Sequence, residues 1–391
     1  RSVYERLPQL SANTKIVTIA GTNGKGSCVA VLQQAAVALG KSVVSFSSPH
    51  LLRYNERIQI QAEPASDAEL VSAFQEIAHA QDGTHLTYFE YGALAALVVA
   101  AQRQPDLLIL EVGLGGRLDA VNIIDAHIVI LTAIGMDHME WLGSDLESIA
   151  AEKCGVLREN IPVVLASPDM PKVVYQIAKE KSLELYAWGE DFEIKFDGNK
   201  AQEIRVRDQI SGLNNLHLHP QSIAAAAMAI ELLWPQNLFE VVDSLQSAQL
   251  QGRFQRLQIG SRDVILDVAH NPMSFANLFK TLQEEGIAKV DLVFAMMADK
   301  EVQQAIEMLA PFVNRWYLLQ LENPRALAPT ELSRLLDNHG VKDVELIDLD
   351  KRKIWEPIFI GESEQIPLLV TGSFYTVSAI LELAERQAQP T

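Results

Sequence analysis

The sequence predicts an α/β protein: an N-terminal domain built on a P-loop-type, mainly parallel sheet, and a smaller C-terminal Rossmann-like α/β domain. Three observations carry this. Strand-like apolar runs alternate with helical patterns along the chain, the signature of a mainly parallel sheet flanked by helices. A strand, a glycine-rich turn and a helix succeed one another near the start. The alternation breaks once, at Leu250-Gln-Gly-Arg-Phe254, before a new series of strands begins. A chain of 391 residues also exceeds one ordinary core, and two domains of roughly 100–200 residues each are the natural expectation. The boundary is placed near Arg253, giving domains 1–253 and 254–391.

Taken in order, Ile16, Val17 and Ile19 form a compact β-branched run that reads as a buried strand. Gly21, Gly24 and Gly26 follow with Lys25 among them, and Ser27 opens a pattern in which Val29, Leu32, Ala36 and Leu39 recur at helical spacing up to Gly40. This is the layout of a phosphate cradle, in which glycine N–H groups close around an anion at a helix N-terminus. The general nucleotide-loop pattern is met imperfectly, because its first glycine falls on Ile19 and Gly26 separates Lys25 from Ser27. A turn serving chain reversal alone has no need of a lysine among three glycines.

Further strands are predicted at 43–46, 107–112, 128–131 and 163–165, then a helix at 225–233. Residues 191–213, with Glu193-Ile-Lys-Phe and Glu203-Ile-Arg-Val, read as a small antiparallel insert. The second domain takes strands at 264–266, 290–294, 316–319, 344–347 and 368–370.

Composition narrows the function. Hydrophobic content of 48% with 21% charged residues describes a soluble globular chain. A net charge of −18 excludes a general footprint for nucleic acid or anionic membrane, so any phosphate must be held locally. The longest weakly polar runs, 91–101 and 223–234, fall short of the ~20 residues of a membrane span. Two cysteines, Cys28 and Cys154, without a CxxC pair, read as reduced thiols of a cytoplasmic protein. The chain begins at Arg1 with neither Met nor a signal-like segment, so its start is expected to be trimmed.

In a parallel α/β sheet, ligands gather beyond the carboxyl ends of the strands. After the first strand comes the glycine loop; after the second, Ser47-Ser-Pro-His50; after the third, Glu111 and Gly113-Leu-Gly-Gly116; after the fourth, Asp137-His138. Taken singly each has a plain structural reading: Ser48 an ST-turn, Glu111 a surface charge, His138 a loop histidine, Lys153 a surface lysine. Together they suit a nucleotide–Mg²⁺ site, since Mg²⁺ takes oxygen ligands from few protein groups plus phosphates. Leu86-Thr-Tyr-Phe-Glu-Tyr91 reads equally as a core-facing helix start or a surface for a flat ring. In the second domain Asp267 and His270 end a strand, as an Asx turn or as a ribose-binding acid.

Eight motifs in fixed order make the set specific: Ala20-Gly-Thr-Asn-Gly-Lys-Gly-Ser27, Ser47-Ser-Pro-His-Leu51, Thr87-Tyr-Phe-Glu-Tyr91, Glu111-Val-Gly-Leu-Gly-Gly-Arg-Leu-Asp119, Asp137-His138, Glu152-Lys-Cys-Gly155, Gly252-Arg-Phe254 and Asp267-Val-Ala-His-Asn-Pro272. Over nearly its whole length the chain resembles the Mur-ligase-like ATP-dependent amide ligases, and within them the bacterial bifunctional dihydrofolate synthase/folylpolyglutamate synthases. The resemblance implies that ATP converts a substrate carboxylate to an acyl phosphate, which L-glutamate then displaces to form an amide. It implies that Thr22, Asn23, Gly24, Lys25, Gly26 and Ser27 hold the ATP phosphates. Ser48 and Glu111 would bind one Mg²⁺, and His138 and Lys153, the latter as its N-carbamate, a second. Thr87, Tyr88, Phe89 and Glu90, with Arg117 and Asn122, would hold the pterin end of dihydropteroate or a reduced folate. Arg253 and Asp267 would touch the nucleotide, and His270 and Ser373 the incoming glutamate. The chain departs from the family at Ser222, where an ATP-contacting Asn is usual, and at Val121, where Thr is usual. A hydroxyl at 222 keeps one hydrogen bond but not the amide's donor–acceptor pair.

The expected protein is thus a monomeric cytoplasmic ligase without nucleic-acid or membrane partners. Single-activity folylpolyglutamate synthases and other Mur-type ligases are the neighbouring alternatives. A non-catalytic nucleotide-binding module would need none of Glu111, His138 and Lys153.

Overall fold

The computed structural model describes residues 1–214, 216–235, 238–349, 351, 355–356, 358–359 and 366–388. The chain divides into two compact units, Arg1–Leu250 and Gln251–Thr391. Arg253 falls in the second because its neighbour is tied there: the Val268 N–H donates to the Gly252 carbonyl at 2.9 Å.

The first unit's large sheet has eight strands among the described residues, β1 (Lys15–Ala20), β2 (Val43–Phe46), β3 (Ile58–Ile60), β4 (Glu63–Pro64), β5 (Leu107–Glu111), β6 (Ile128–Leu131), β7 (Pro162–Leu165) and β8 (Glu184–Ala187), in the spatial order β4-β3-β2-β5-β1-β6-β7-β8. Six run parallel, and β2–β3–β4 is an antiparallel edge. The central strands are continuous apolar runs because both faces are covered. Val17, Ile19, Leu107, Ile109, Ile128 and Ile130 point to one core. Leu108, Leu110, Val129 and Leu131 point to the other. The helices are α1 (Lys25–Ala38), α2 (Asp67–Gln81), α3 (Tyr88–Arg103), α4 (Met139–Leu142), α5 (Leu146–Lys153), α6 (Lys172–Glu180), α7 (Pro220–Leu233) and α8 (Val242–Ser247). The expected insert forms three antiparallel strands, β9 (Phe192–Asp197), β10 (Lys200–Val206) and β11 (Gln209–Gly212), whose Phe192, Ile194, Ile204 and Val206 join the α1–α7 core.

The second unit's sheet has the order β12-β13-β17-β14-β15-β16, from β12 (Gln255–Ile259), β13 (Arg262–Leu266), β14 (Val290–Phe294), β15 (Val313–Leu319), β16 (Val344–Ile347) and β17 (Leu368–Thr371). All pairs are parallel except β12–β13. Its helices include α9 (Pro272–Glu284), α10 (Val302–Leu309), α11 (Pro329–Asn338) and a closing helix, Phe374–Ala388. Among the described residues no helix is long and apolar enough to cross a membrane.

Candidate active site

β1 lies at the middle of the large sheet, and its carboxyl end opens into the glycine loop. Two glycines there are obligatory. Gly21 has φ of +151°, and a Cβ on it would lie 1.9 Å from Thr132 Oγ1. Gly24 is the N-cap of α1 at φ of +88°, and no side chain caps that helix. The dipole of a helix that starts without a side-chain cap favours an anion at that end. The loop is braced from β6: the Thr22 N–H donates to the Ala133 carbonyl at 2.7 Å, and the Thr22 hydroxyl accepts from the Gly135 N–H at 3.0 Å. From α7, buried Ser222 donates its hydroxyl to the Gly24 carbonyl at 3.3 Å.

Two lysines converge on this loop. Lys25 folds back to donate to the Gly21 and Thr22 carbonyls at 3.2 and 3.0 Å. Lys153, at the end of α5 and only 4% exposed, donates to the same Gly21 carbonyl at 2.8 Å. Burial, and then the nearby Lys25 charge, lowers the Lys153 amine to about 7, while Asp137 and Asp119 pull it the other way. Among the described residues Lys153 makes no ion pair.

Glu111, at the end of β5, is buried; it accepts from the Ser48 N–H at 3.3 Å, and its Oε2 lies 3.7 Å from where a Cβ on Gly26 would stand. The Ser48 loop is itself fixed by Glu56, whose carboxylate accepts the N–H groups of Leu51, Leu52 and Arg53 at 2.7, 2.8 and 2.6 Å. His138 is the left-handed N-cap of α4, at φ of +53°, with Nε2 3.9 Å from the mostly buried Asp137 carboxylate. Among the described residues no three His, Cys, Asp or Glu side chains converge on a point. A hard divalent ion is still consistent with the donors present, because Ser48 and Glu111 offer oxygen and such ions complete their shells with ligand oxygens and water.

The aromatic stretch divides its residues between the two readings. Thr87 and Glu90 form a capping box for α3, with Glu90 accepting the Thr87 N–H at 2.7 Å. Phe89 lies so close to Gly113 that a Cβ there would meet its ring at 2.5 Å. Tyr88 is 62% exposed, beside Tyr54 and under the Arg57 guanidinium. Arg117 pairs with Glu152 at 3.0 Å, and the Asn122 amide donates to the Arg117 and Gly155 carbonyls, both at 3.1 Å.

In the second unit, Asp267 accepts from the Phe254 and Ala269 N–H groups, both at 2.9 Å, and burial raises its pKa. His270 Nδ1 lies 2.8 Å from the Val268 carbonyl, which can only accept, so Nδ1 carries the proton. The His270 ring lies 6.0 Å from Phe374, over which the Arg253 guanidinium sits at 5.2 Å. Buried Ser373 accepts the Thr376 N–H at 3.0 Å, while Thr376 donates its hydroxyl to the Ala295 carbonyl at 2.7 Å.

Two acids, Asp119 and Glu56, escaped residue-by-residue reading. Asp119 accepts the N–H groups of Gly113, Leu114 and Val121, each at 3.0 Å, and so shapes the loop after β5. Glu56 holds the Ser48 loop. Asp119 stands inside the Glu111–Asp119 motif, which is the signal the sequence offers.

The Mur ligase middle domain model matches residues 19–226, and the Mur ligase glutamate ligase domain model matches residues 252–374. The two matches, with the glycine loop at the centre of a parallel sheet, place the chain among the Mur-type ligases. The Escherichia coli (strain K12) dihydrofolate synthase/folylpolyglutamate synthase is 36% identical, over 98% of this chain and 90% of its own length. A structure of E. coli FolC in complex with DHPP and ADP matches at a TM-score of 0.91 and 33% identity, covering 99% of this chain and 92% of that one. A bifunctional folylpolyglutamate synthase/dihydrofolate synthase with Mn, AMPPNP and L-glutamate bound matches at 0.88 and 35%, covering 98% and 92%. The chain belongs to the dihydrofolate synthase/folylpolyglutamate synthase family.

Proposed function

We propose that the protein is an ATP-dependent ligase that joins L-glutamate to the carboxylate of 7,8-dihydropteroate, to the glutamyl tail of reduced folates, or to both. Its family membership supports this, as do relatives solved with ADP, AMPPNP, Mn and L-glutamate. The observation that carries the reading is the convergence of Lys25 and buried Lys153 on one carbonyl of an uncapped glycine loop. That arrangement suits an incoming polyphosphate.

A carboxylate is a poor electrophile. Transfer of the γ-phosphoryl group to one of its oxygens gives an acyl phosphate and ADP. Attack of the glutamate amine on the carbonyl carbon then breaks the C–O bond to phosphate and leaves the amide. In this reading residues 22–27 cradle the phosphates through backbone N–H groups and Lys25, while Ser222 holds the loop at Gly24. Ser48 and Glu111 hold one Mg²⁺, and His138 and the N-carbamate of Lys153 hold a second. Bound there, the two ions would offset the charge crowding around the γ-phosphate. A lysine amine buried without an ion-pair partner is suited to carbamate formation, which turns a cation into an oxygen donor. Thr87, Tyr88, Phe89, Glu90 and Arg117 receive the pterin end, Arg253 and Asp267 the nucleotide, and His270 and Ser373 the glutamate. In this reading the protein works in the cytoplasm as a monomer.

The test is phosphate release and product formation with 7,8-dihydropteroate and with a reduced folate, each with and without glutamate and Mg²⁺. ATP turnover is expected to need both the carboxylate substrate and Mg²⁺, and amide formation to need glutamate as well. Equal phosphate release without any carboxylate substrate would sink the acyl-phosphate mechanism.

A further inference from the structure

Lys153 ends α5, and nothing on α5 alone fixes where its amine points; the turn that follows does. That turn is clasped to the loop after β5 by contacts that leave no room for adjustment. A Cβ on Gly116 would lie 2.6 Å from the Lys153 carbonyl, and one on Gly155 would lie 2.3 Å from Arg117 Cβ. The Arg117 N–H donates to the Glu152 carbonyl at 2.9 Å. Around these two close approaches runs a ring of polar bonds centred on Asn122. Its Nδ2 donates to the Arg117 carbonyl on one side and the Gly155 carbonyl on the other, both at 3.1 Å. Its Oδ1 accepts from Arg158 Nη2 at 2.9 Å. Arg158 also donates to the Gly155 carbonyl at 3.3 Å and the Asn122 carbonyl at 3.1 Å, and its Nε pairs with Asp125 at 2.5 Å.

We infer that Asn122 and Arg158 are positioning residues for Lys153: they lock the Glu152–Gly155 turn onto the loop after β5 and so hold the amine at the Gly21 carbonyl. This rests on the ligase reading and assigns Asn122 a task other than substrate contact. Both amide hydrogens of Asn122 and its oxygen are already engaged within the clasp, and an amide has little further capacity to offer a ligand. Groups that orient a metal ligand from behind typically change activity by about 10–100-fold when removed.

The experiment uses Asn122→Ala, Arg158→Gln and the double variant of the full chain, with two readouts. Steady-state kinetics should show kcat lowered about tenfold or more, with KM for the carboxylate substrate unchanged within about twofold. The double variant should be no worse than the poorer single one, since both cut the same ring. Independently, reductive methylation of the ligand-free protein, read by peptide mass, should modify Lys153 severalfold faster in each variant while the rates of exposed Lys172 and Lys200 stay unchanged. A raised KM with unchanged kcat in Asn122→Ala would make Asn122 a substrate contact and overturn the inference, as would unchanged Lys153 labelling. Labelling needs no turnover, so it decides the clasp even if the ligase reading fails. Should a variant fold poorly, Arg158→Lys keeps the cation while losing the fork, and both readouts apply to it unchanged.

Discussion

At the end of β1 and again at the end of β13, a parallel strand turns into a helix, and the two helix starts are finished differently. α1 begins at Gly24 with no side-chain cap, no acid in its first turn and Lys25 as its first residue. α9 begins at Asn271, whose Oδ1 accepts the Ser274 N–H at 2.9 Å while the Ser274 hydroxyl accepts the Asn271 N–H at 3.0 Å. The turn before α9 also holds its own carboxylate, Asp267, on two N–H groups. The first turn of α1 therefore supplies no carboxylate to its own N–H groups, whereas the turn before α9 contains one. Similar strand–turn–helix units can be specialised for opposite ligand chemistry by which residue occupies the cap: the first suits phosphate, and the second suits hydroxyl or cationic groups.

The largest way to break this contrast is through Lys153, whose buried amine donates to the same Gly21 carbonyl as Lys25. Lys153→Ala and Lys153→Arg are both expected to lower turnover by roughly 10²-fold or more, the scale of losing a group that stabilises transferring charge. Arginine keeps the cation but cannot form a carbamate, so near-normal turnover of Lys153→Arg in a phosphate-release assay would refute the carbamate role. Added short carboxylic acids should restore part of the Lys153→Ala activity. Folding should respond in the opposite sense. The amine is held near 7 in the folded chain against an ordinary value of 10.5, so between those values the unfolded chain binds more protons and stability rises with pH. Lys153→Met, which removes the buried amine, should be more stable than the parent by about a few kcal/mol below pH 7. That gain should shrink as the pH approaches 10.5. Denaturant titrations at several pH values measure it, and a difference independent of pH would show that the amine is not depressed.

A second substitution sharpens the contrast by moving the second solution into the first site. Gly24→Asp puts a carboxylate at the open end of α1, where it would take the N–H groups and repel phosphate. Aspartate tolerates positive φ better than most residues, though the Ser222 hydroxyl, 3.2 Å from the new Cβ, must give slightly. ADP affinity by calorimetry should fall by about tenfold or more, the cost of a like charge near the surface of a protein. Unchanged affinity would mean that the loop's N–H groups do not hold the phosphates.

How much of this is legible in the sequence follows from the same contrast. Parallel strands read as apolar runs, and whatever follows them lies on one sheet edge, so the neighbourhood of the glycine loop, Ser48, Glu111 and Asp137-His138 is visible before any coordinates. β3, β4, β8 and β12 are not, because short or polar edge strands lack a continuous apolar run. The depressed amine of Lys153 is half legible. The carbamate implied by the resemblance needs a neutral amine, but the burial and the Lys25 charge that depress it come from residues far away in sequence and brought near only by the fold. Asp119 and Glu56 stay hidden for a related reason: a carboxylate that collects backbone N–H groups looks, in sequence, like any surface acid. The Thr87–Tyr91 stretch held two readings because its residues do two things, Thr87 and Glu90 capping α3 while Tyr88 faces solvent.

The smallest expected effect tests the other half of the comparison. If Asn271 serves α9 as an ordinary cap, Asn271→Ala should cost about 1 kcal/mol of stability, the usual value for losing such a side chain. The substitution leaves the Ser274 N–H without its acceptor, and Ser274 Oγ still accepts from the His270 N–H at 3.0 Å, so the turn keeps part of its order. Asn271→Asp should retain stability, since a carboxylate caps as well as an amide and complements the helix dipole. Neither should alter ADP affinity, because the phosphates are assigned to α1. Chemical denaturation combined with ADP calorimetry on both variants decides the matter. A lowered ADP affinity with unchanged stability would reverse the assignment, making the end of β13 an anion site and the uncapped start of α1 a structural accident.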